Sequence, residues 1–184
     1  MNRADYMRRL LSGAVGAGAD EAEVYCTQSR STRVNVFDGK VDSFTDRETQ
    51  GVGLRALYGW QRGQSYSEAF DEAALGMMIR AASQSAALYD RTESALLCMP
   101  GPQSYPELSL PAYDGDMVPQ QEKADMALRL YHAARDASPL VRSVQHCALS
   151  LGFGRSRLMG TAGMDASFGD GLCLLYIQPV LEDG

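Results

Sequence analysis

Asp38-Gly39 stands between two runs of alternating residues, 32–37 and 40–45. A two-residue turn needs positive φ at both positions, which Asp-Gly supplies, so the pair predicts a tight antiparallel hairpin. Val34 and Val36 then share one face. Residues 22–30 precede the hairpin as a strand, with Val24 and Cys26 on one side and Tyr25 on the other. Residues 51–58 alternate again: Val52, Leu54, Ala56 and Tyr58 point one way, and Gly51, Gly53, Arg55 and Leu57 the other. A turn over 59–63 leads to a short run over 64–67. The period then changes. Leu75, Met78, Ile79, Ala82 and Ala86 recur at helical spacing over 71–88, and Asp71 and Glu72 suit the positive end of that helix dipole.

The flanking segments extend this pattern. Residues 4–15 place Tyr6, Met7, Leu10, Leu11 and Val15 on one helical face, and Gly13, Gly16 and Gly18 are expected to end that helix. From 89 to 119 the chain is punctuated by Pro100, Pro102, Pro106, Pro111 and Pro119, which predicts an irregular connection. A further helix over 120–136 buries Ala124, Ala127, Leu128, Tyr131 and Ala134, with Pro119 suited to its first turn. Strands are expected over 140–151, 155–160 and 168–180. The apolar run 172–177 predicts a strand covered on both faces. The fold class is α+β: antiparallel β-meanders packed against amphipathic helices, in sub-blocks 1–90 and 119–184 joined by a Pro-rich loop over 91–118.

A chain of 184 residues can bury one substantial core or two small layers. Its net charge of −6 and dispersed basic residues, with Arg8-Arg9 and Arg155/Arg157 as small clusters, argue against direct nucleic-acid binding. The run 172–177 falls far short of the ~20 apolar residues of a membrane span. The N-terminus lacks the pattern of a signal peptide. A cytoplasmic protein without membrane contact is expected. Cys26, Cys98, Cys147 and Cys173 are scattered without C-x-x-C spacing, so they are expected to be free thiols, buried or half-buried.

Candidate chemistry is sparse. Gly51-Val52-Gly53-Leu54-Arg55-Ala56 has dinucleotide-fingerprint spacing, but such a motif needs a strand ending and a helix opening. Here a strand continues, so the glycines are expected to permit close packing. His132 and His146 lack a following Glu and any second ligand at metal spacing. Ser65, Ser67 and Ser150 lie in no nucleophile elbow. Cys147 neighbours His146, yet adjacent strand residues face opposite ways and cannot pair as nucleophile and base. Glu68, Asp71 and Glu72 suit a turn and a helix start. Residues 28–33 are polar on both faces and predict a solvated edge or bulged strand, whose functional counterpart is β-augmentation by an extended peptide. No catalytic, cofactor-binding or metal-ligating residue is assigned.

The E-A-E-V-Y opening at Glu21, the D-G-K-V hairpin, the G-V-G-L-R strand, the R-G turn and the Ala-rich helix together resemble the N-terminal half of the TldD/PmbA family of proposed metallopeptidases, also called modulators of DNA gyrase. Residues 119–183 fit the following helix and strands more loosely. The hairpin looks closer to the PmbA (TldE) branch. The resemblance implies a bacterial cytoplasmic protein that forms homo- or heterodimers with a homologous TldD/PmbA-type subunit and degrades or trims peptides. It implies a zinc site with a His-Glu motif in a C-terminal half that this chain does not include, and no cofactor in the chain itself. Two roles follow: the non-catalytic N-terminal portion of a zinc-dependent peptidase, or part of a non-catalytic partner that binds peptide or stabilises the assembly.

Overall fold

The computed structural model describes residues 2–88, 105 and 118–182. Its elements are α1 (Arg3–Gly16), β1 (Glu21–Phe37), β2 (Lys40–Tyr58), β3 (Gln61–Ser67), α2 (Glu72–Ala87), α3 (Gln120–Arg135), β4 (Val141–Gly160) and β5 (Asp165–Leu181). The strands form one antiparallel sheet in the order β3-β2-β1-β4-β5. The α+β class read from the sequence is therefore the observed one. Asp38 at φ 47° and Gly39 at φ 72° make the predicted tight turn. Most of the expected irregular connection lies outside the described residues.

Two compact units each carry a core. The first takes residues 2–28, 50–88, 105 and 155–168. Tyr6, Met7 and Leu10 of α1 and Met78 and Ala82 of α2 pack there with Val24, Cys26, Val52, Leu54 and Ala56. Asn2 caps α1 by accepting from the Ala4 N–H, and Asp71 caps α2 by accepting from the Ala74 N–H at 2.8 Å. The α1 helix does not stop at Gly13. That glycine faces Ile79, and any Cβ there would overlap the Ile79 side chain, so it is a contact glycine between α1 and α2. The chain leaves the helix at Gly18, whose φ is 95°. Val15, expected on the buried stripe, is exposed.

The second unit takes residues 29–49, 118–154 and 169–182. Val34, Val36, Val144, Cys147, Leu149 and Leu151 pack with Ala127 and Tyr131 of α3. Lys123, one helical turn before Ala127, is buried too. Its ammonium donates to Thr32 Oγ1 at 3.0 Å, and Thr32 in turn donates to Asp46 Oδ1 at 2.5 Å. Gln120 donates to Asp46 Oδ2 at 3.2 Å. Hydropathy alone could not place Lys123 inside. Its partner Thr32 is 91 residues away in sequence.

Thr32 is the main reason the Asp46 carboxyl sits below the usual carboxylate range, with Lys123, Gln120 and Arg30 adding to the effect. A depressed folded value means that Asp46 contributes stability above its unfolded pKa and loses it as pH falls through the folded one. Between about pH 5 and pH 2, thermal midpoints should therefore fall less steeply for Asp46→Asn than for the parent chain. Superimposable pH profiles would show that the Asp46 cluster is not coupled to folding. The carboxylate is largely exposed, so the effect should be small.

Several strand limits differ from the sequence reading. The runs expected over 22–30 and 32–37 are one continuous strand, β1, and those over 40–45 and 51–58 are one continuous strand, β2. β1 lies between β2 and β4, so residues 28–33 are not an edge, and their backbone is not open to β-augmentation. Polar residues are tolerated there because the side chains reach solvent or each other, as Ser29 and Thr49 do at 2.7 Å. The expected breaks near 152–154 and 161–167 shrink to one turn, so β4 and β5 replace three strands. The apolar run 172–177 is not covered on both faces. It lies in edge strand β5 and is mostly exposed.

Candidate functional site

On the first unit, the side of β1–β3 pointing away from Val24, Leu54 and Ala56 carries Glu23, Tyr25, Gly53, Arg55 and Tyr66. These residues line a cleft of about 490 Å3. Register builds it: Gly53 pairs with Tyr66, and Arg55 with Gln64. The Tyr25 hydroxyl donates to Ser156 Oγ at 3.0 Å, which fixes that ring. The Tyr66 ring lies over Gly51, where a Cβ would overlap it. The expectation that these glycines permit close packing thus holds for Gly51. It fails for Gly53. A Cβ there would meet nothing nearer than 3.9 Å, and its φ is not in the left-handed region. Neither backbone conformation nor crowding requires glycine at 53. Its bare backbone leaves a slot between the two tyrosines.

Glu23 also lines the slot. It is only 6% exposed, and its Oε1 faces the Arg55 guanidinium as an ion pair. That oxygen accepts no hydrogen bond of good geometry and has no exposed surface. Arg55 is half-exposed. The accessible charge in the slot is therefore the guanidinium, held by a carboxylate sealed beneath it. Sequence reading placed Arg55 on the right face but missed Glu23 as a buried acid. The signal was there in principle, since Glu23 alternates with the core residues Ala22 and Val24 and had to share a face with Arg55.

The other residues weighed for chemistry do not converge. His132 and His146 are exposed, on α3 and β4. Cys147 is buried, its Sγ lies 3.5 Å from the Ala127 carbonyl, and burial pushes its thiol up. His146 and Cys147 thus differ in burial as strand alternation predicts. Ser65 Oγ donates to the Met78 carbonyl at 2.8 Å, and Ser67 folds back on Ala69. Asp71 is the α2 cap, and Glu72 is ion-paired with Arg9. Arg157 forms a two-pronged pair with Asp165, both contacts at 2.8 Å. Cys26 is a buried free thiol, whereas Cys173 is exposed, contrary to expectation, because β5 is uncovered. Cys98 lies outside the described residues. Among the described residues no group of three or more His, Cys, Asp or Glu could hold a metal, and no helix is long and apolar enough to cross a membrane.

Residues 22–86 match the family model described as PmbA/TldA metallopeptidase domain 1. Over that segment the chain is similar to the first domain of the PmbA/TldD family. The fold is shared well beyond it. A proposed modulator of a DNA gyrase from Thermotoga maritima MSB8 superposes with a TM-score of 0.84 at 17% identity, covering 99% of this chain and 40% of that one. A proposed modulator of DNA gyrase from Bacteroides thetaiotaomicron VPI-5482 gives 0.84 at 15% identity, covering 97% and 41%. TldE from Thermococcus kodakarensis gives 0.77 at 17% identity, covering 97% and 40%. This chain thus spans about 40% of the length of these solved proteins. None of the curated proteins matches the sequence.

Proposed function

We propose that this chain is the non-catalytic, N-terminal portion of a cytoplasmic TldD/PmbA-type metallopeptidase, whose zinc and hydrolytic residues are supplied elsewhere and whose substrates are peptides. The observation that carries the reading is the match of residues 22–86 to a metallopeptidase first domain. The absence of a ligand cluster among the described residues supports placing the chemistry outside this portion. A second reading, part of a non-catalytic partner subunit that binds peptide or stabilises a homo- or heterodimer with a TldD/PmbA-type subunit, is supported by the fold shared with TldE.

Metal analysis separates these readings from a self-contained enzyme. The purified, untagged 184-residue chain should hold far less than one zinc and cleave no peptide, because tight zinc binding requires a preformed set of deprotonated ligands. About one zinc per chain would overturn both readings. The product of the whole gene should bind zinc and lose peptide hydrolysis on chelation under the first reading. Under the second it should do neither without a homologous subunit.

A further inference from the structure

We propose that the slot over Gly53 recognises the free C-terminal carboxylate of a peptide, with Arg55 as the anion-binding group. This deepens the peptide-handling reading above and rests on it.

The sign of the ligand follows from exposure. Glu23 Oε1 has no accessible surface, whereas Arg55 is half-exposed. Glu23 engages the guanidinium through Nη2, and the Arg55 side chain, with its further N–H donors, stays half-exposed. A cation entering the slot would meet that guanidinium and be repelled. A carboxylate meets the planar donor pair that arginine presents to carboxylates. The buried acid also sets the class of anion. It neutralises Arg55 at its base, so the site offers one oriented fork rather than a concentration of positive charge. That suits a monoanionic carboxylate better than a phosphate dianion.

The body of the ligand follows from the walls. Tyr25 is pinned through Ser156 and Tyr66 leans over Gly51, so both rings are held away from the backbone of Gly53. The bare strand between two aromatic walls accepts a flat amide and a side chain of moderate size. Tyrosines suit this role because they offer large apolar surface at low conformational cost. A glycine that neither φ nor crowding requires is explained if a side chain at 53 would occupy the space the ligand uses.

The test uses the 184-residue chain and two probes, N-acetyl-leucyl-tyrosine with a free carboxylate and the same compound as its C-terminal amide, titrated by heteronuclear NMR. The acid should shift resonances of Gly53, Arg55 and Tyr66 and saturate, and the amide should bind at least about tenfold more weakly. Gly53→Val should remove binding of the acid while leaving circular dichroism and the thermal midpoint close to the parent, since a Cβ at 53 makes only ordinary contacts. Arg55→Lys keeps a cation over Glu23 but loses the fork, and should weaken the acid selectively. Equal binding of acid and amide, binding of neither, or full retention by Gly53→Val would each overturn the proposal. None of these outcomes bears on the metallopeptidase reading, which the zinc measurement decides.

Discussion

Gly63→Val should destabilise the chain by about 3 kcal/mol, lowering the thermal midpoint by on the order of 10 °C. Gly63 lies inside β3, paired with Ala56 of β2, and α2 crosses directly above it. A Cβ at 63 would overlap the Ala82 carbonyl, a backbone group in mid-helix that cannot swing aside, and would also press on the Ala86 methyl. The helix must lift or the strand must bend. Lifting α2 would withdraw Met78 and Ala82 from the core. It would also break the seam where Ser85 Oγ accepts from the Gln64 N–H at 2.8 Å and donates to the Gln64 carbonyl at 3.0 Å. Two other glycines calibrate the effect. Gly51→Ala displaces only the far end of Tyr66 and should cost less. Gly53→Ala enters open space and should be neutral or slightly stabilising, because glycine weakens a strand through its entropy. Thermal or denaturant unfolding of the three variants should rank them in that order. A Gly63→Val chain as stable as the parent would mean that α2 does not sit on β3 as described.

The same glycine shows where sequence reading stops. Periodicity placed residues 51–58 on a strand and assigned the faces correctly, because Val52, Leu54 and Ala56 are apolar at every second position and bury against α1 and α2. Residues 59–63 read as a turn because two glycines bracket Trp60. In the structure only Gly59 and Trp60 turn, and Gly63 is a strand residue under a helix. Glycine signals a turn or a close approach with the same letter, and only the Ala82 carbonyl distinguishes them. Polar residues misled in a related way. Residues 28–33 carry no apolar alternation and so read as a solvated edge or bulged strand, yet β2 and β4 flank β1 on either side. Alternation reports burial of side chains and is silent about backbone pairing. The candidate site was legible only in part. Arg55 and Tyr25 fell on the correct face, while the buried acid Glu23 was not singled out. Its burial depends on Arg55, a cross-strand partner 32 positions away, and no local pattern encodes that pairing.

The chain is expected to self-associate through β5, and Leu174→Lys should weaken that association at least about tenfold. β5 is an edge strand of 17 residues whose outer backbone groups have no strand neighbour among the described residues. Edge strands of soluble proteins are ordinarily protected by charges, brevity or a covering element. β5 instead exposes Leu172 at 65%, Leu174 at 53%, Tyr176 at 50% and Leu175 at 47%. Ile177 alone of this run packs on the α3 core. A second copy supplies what such an edge lacks: an identical row of backbone donors and acceptors and an identical apolar surface, joined about a two-fold axis so that each contact is made twice. Leucine-to-lysine at position 174 then places two ammonium groups in one interface and should be felt twice. Such a change on an exposed side chain should leave the monomer's own stability nearly unaltered, so the two effects can be told apart. Sedimentation of the parent should show dimers or larger species that grow with concentration, and Leu174→Lys should shift the distribution toward monomer at an unchanged thermal midpoint. A parent chain that stays monomeric up to about 1 mM and takes up no apolar dye would show that β5 is satisfied within the chain itself.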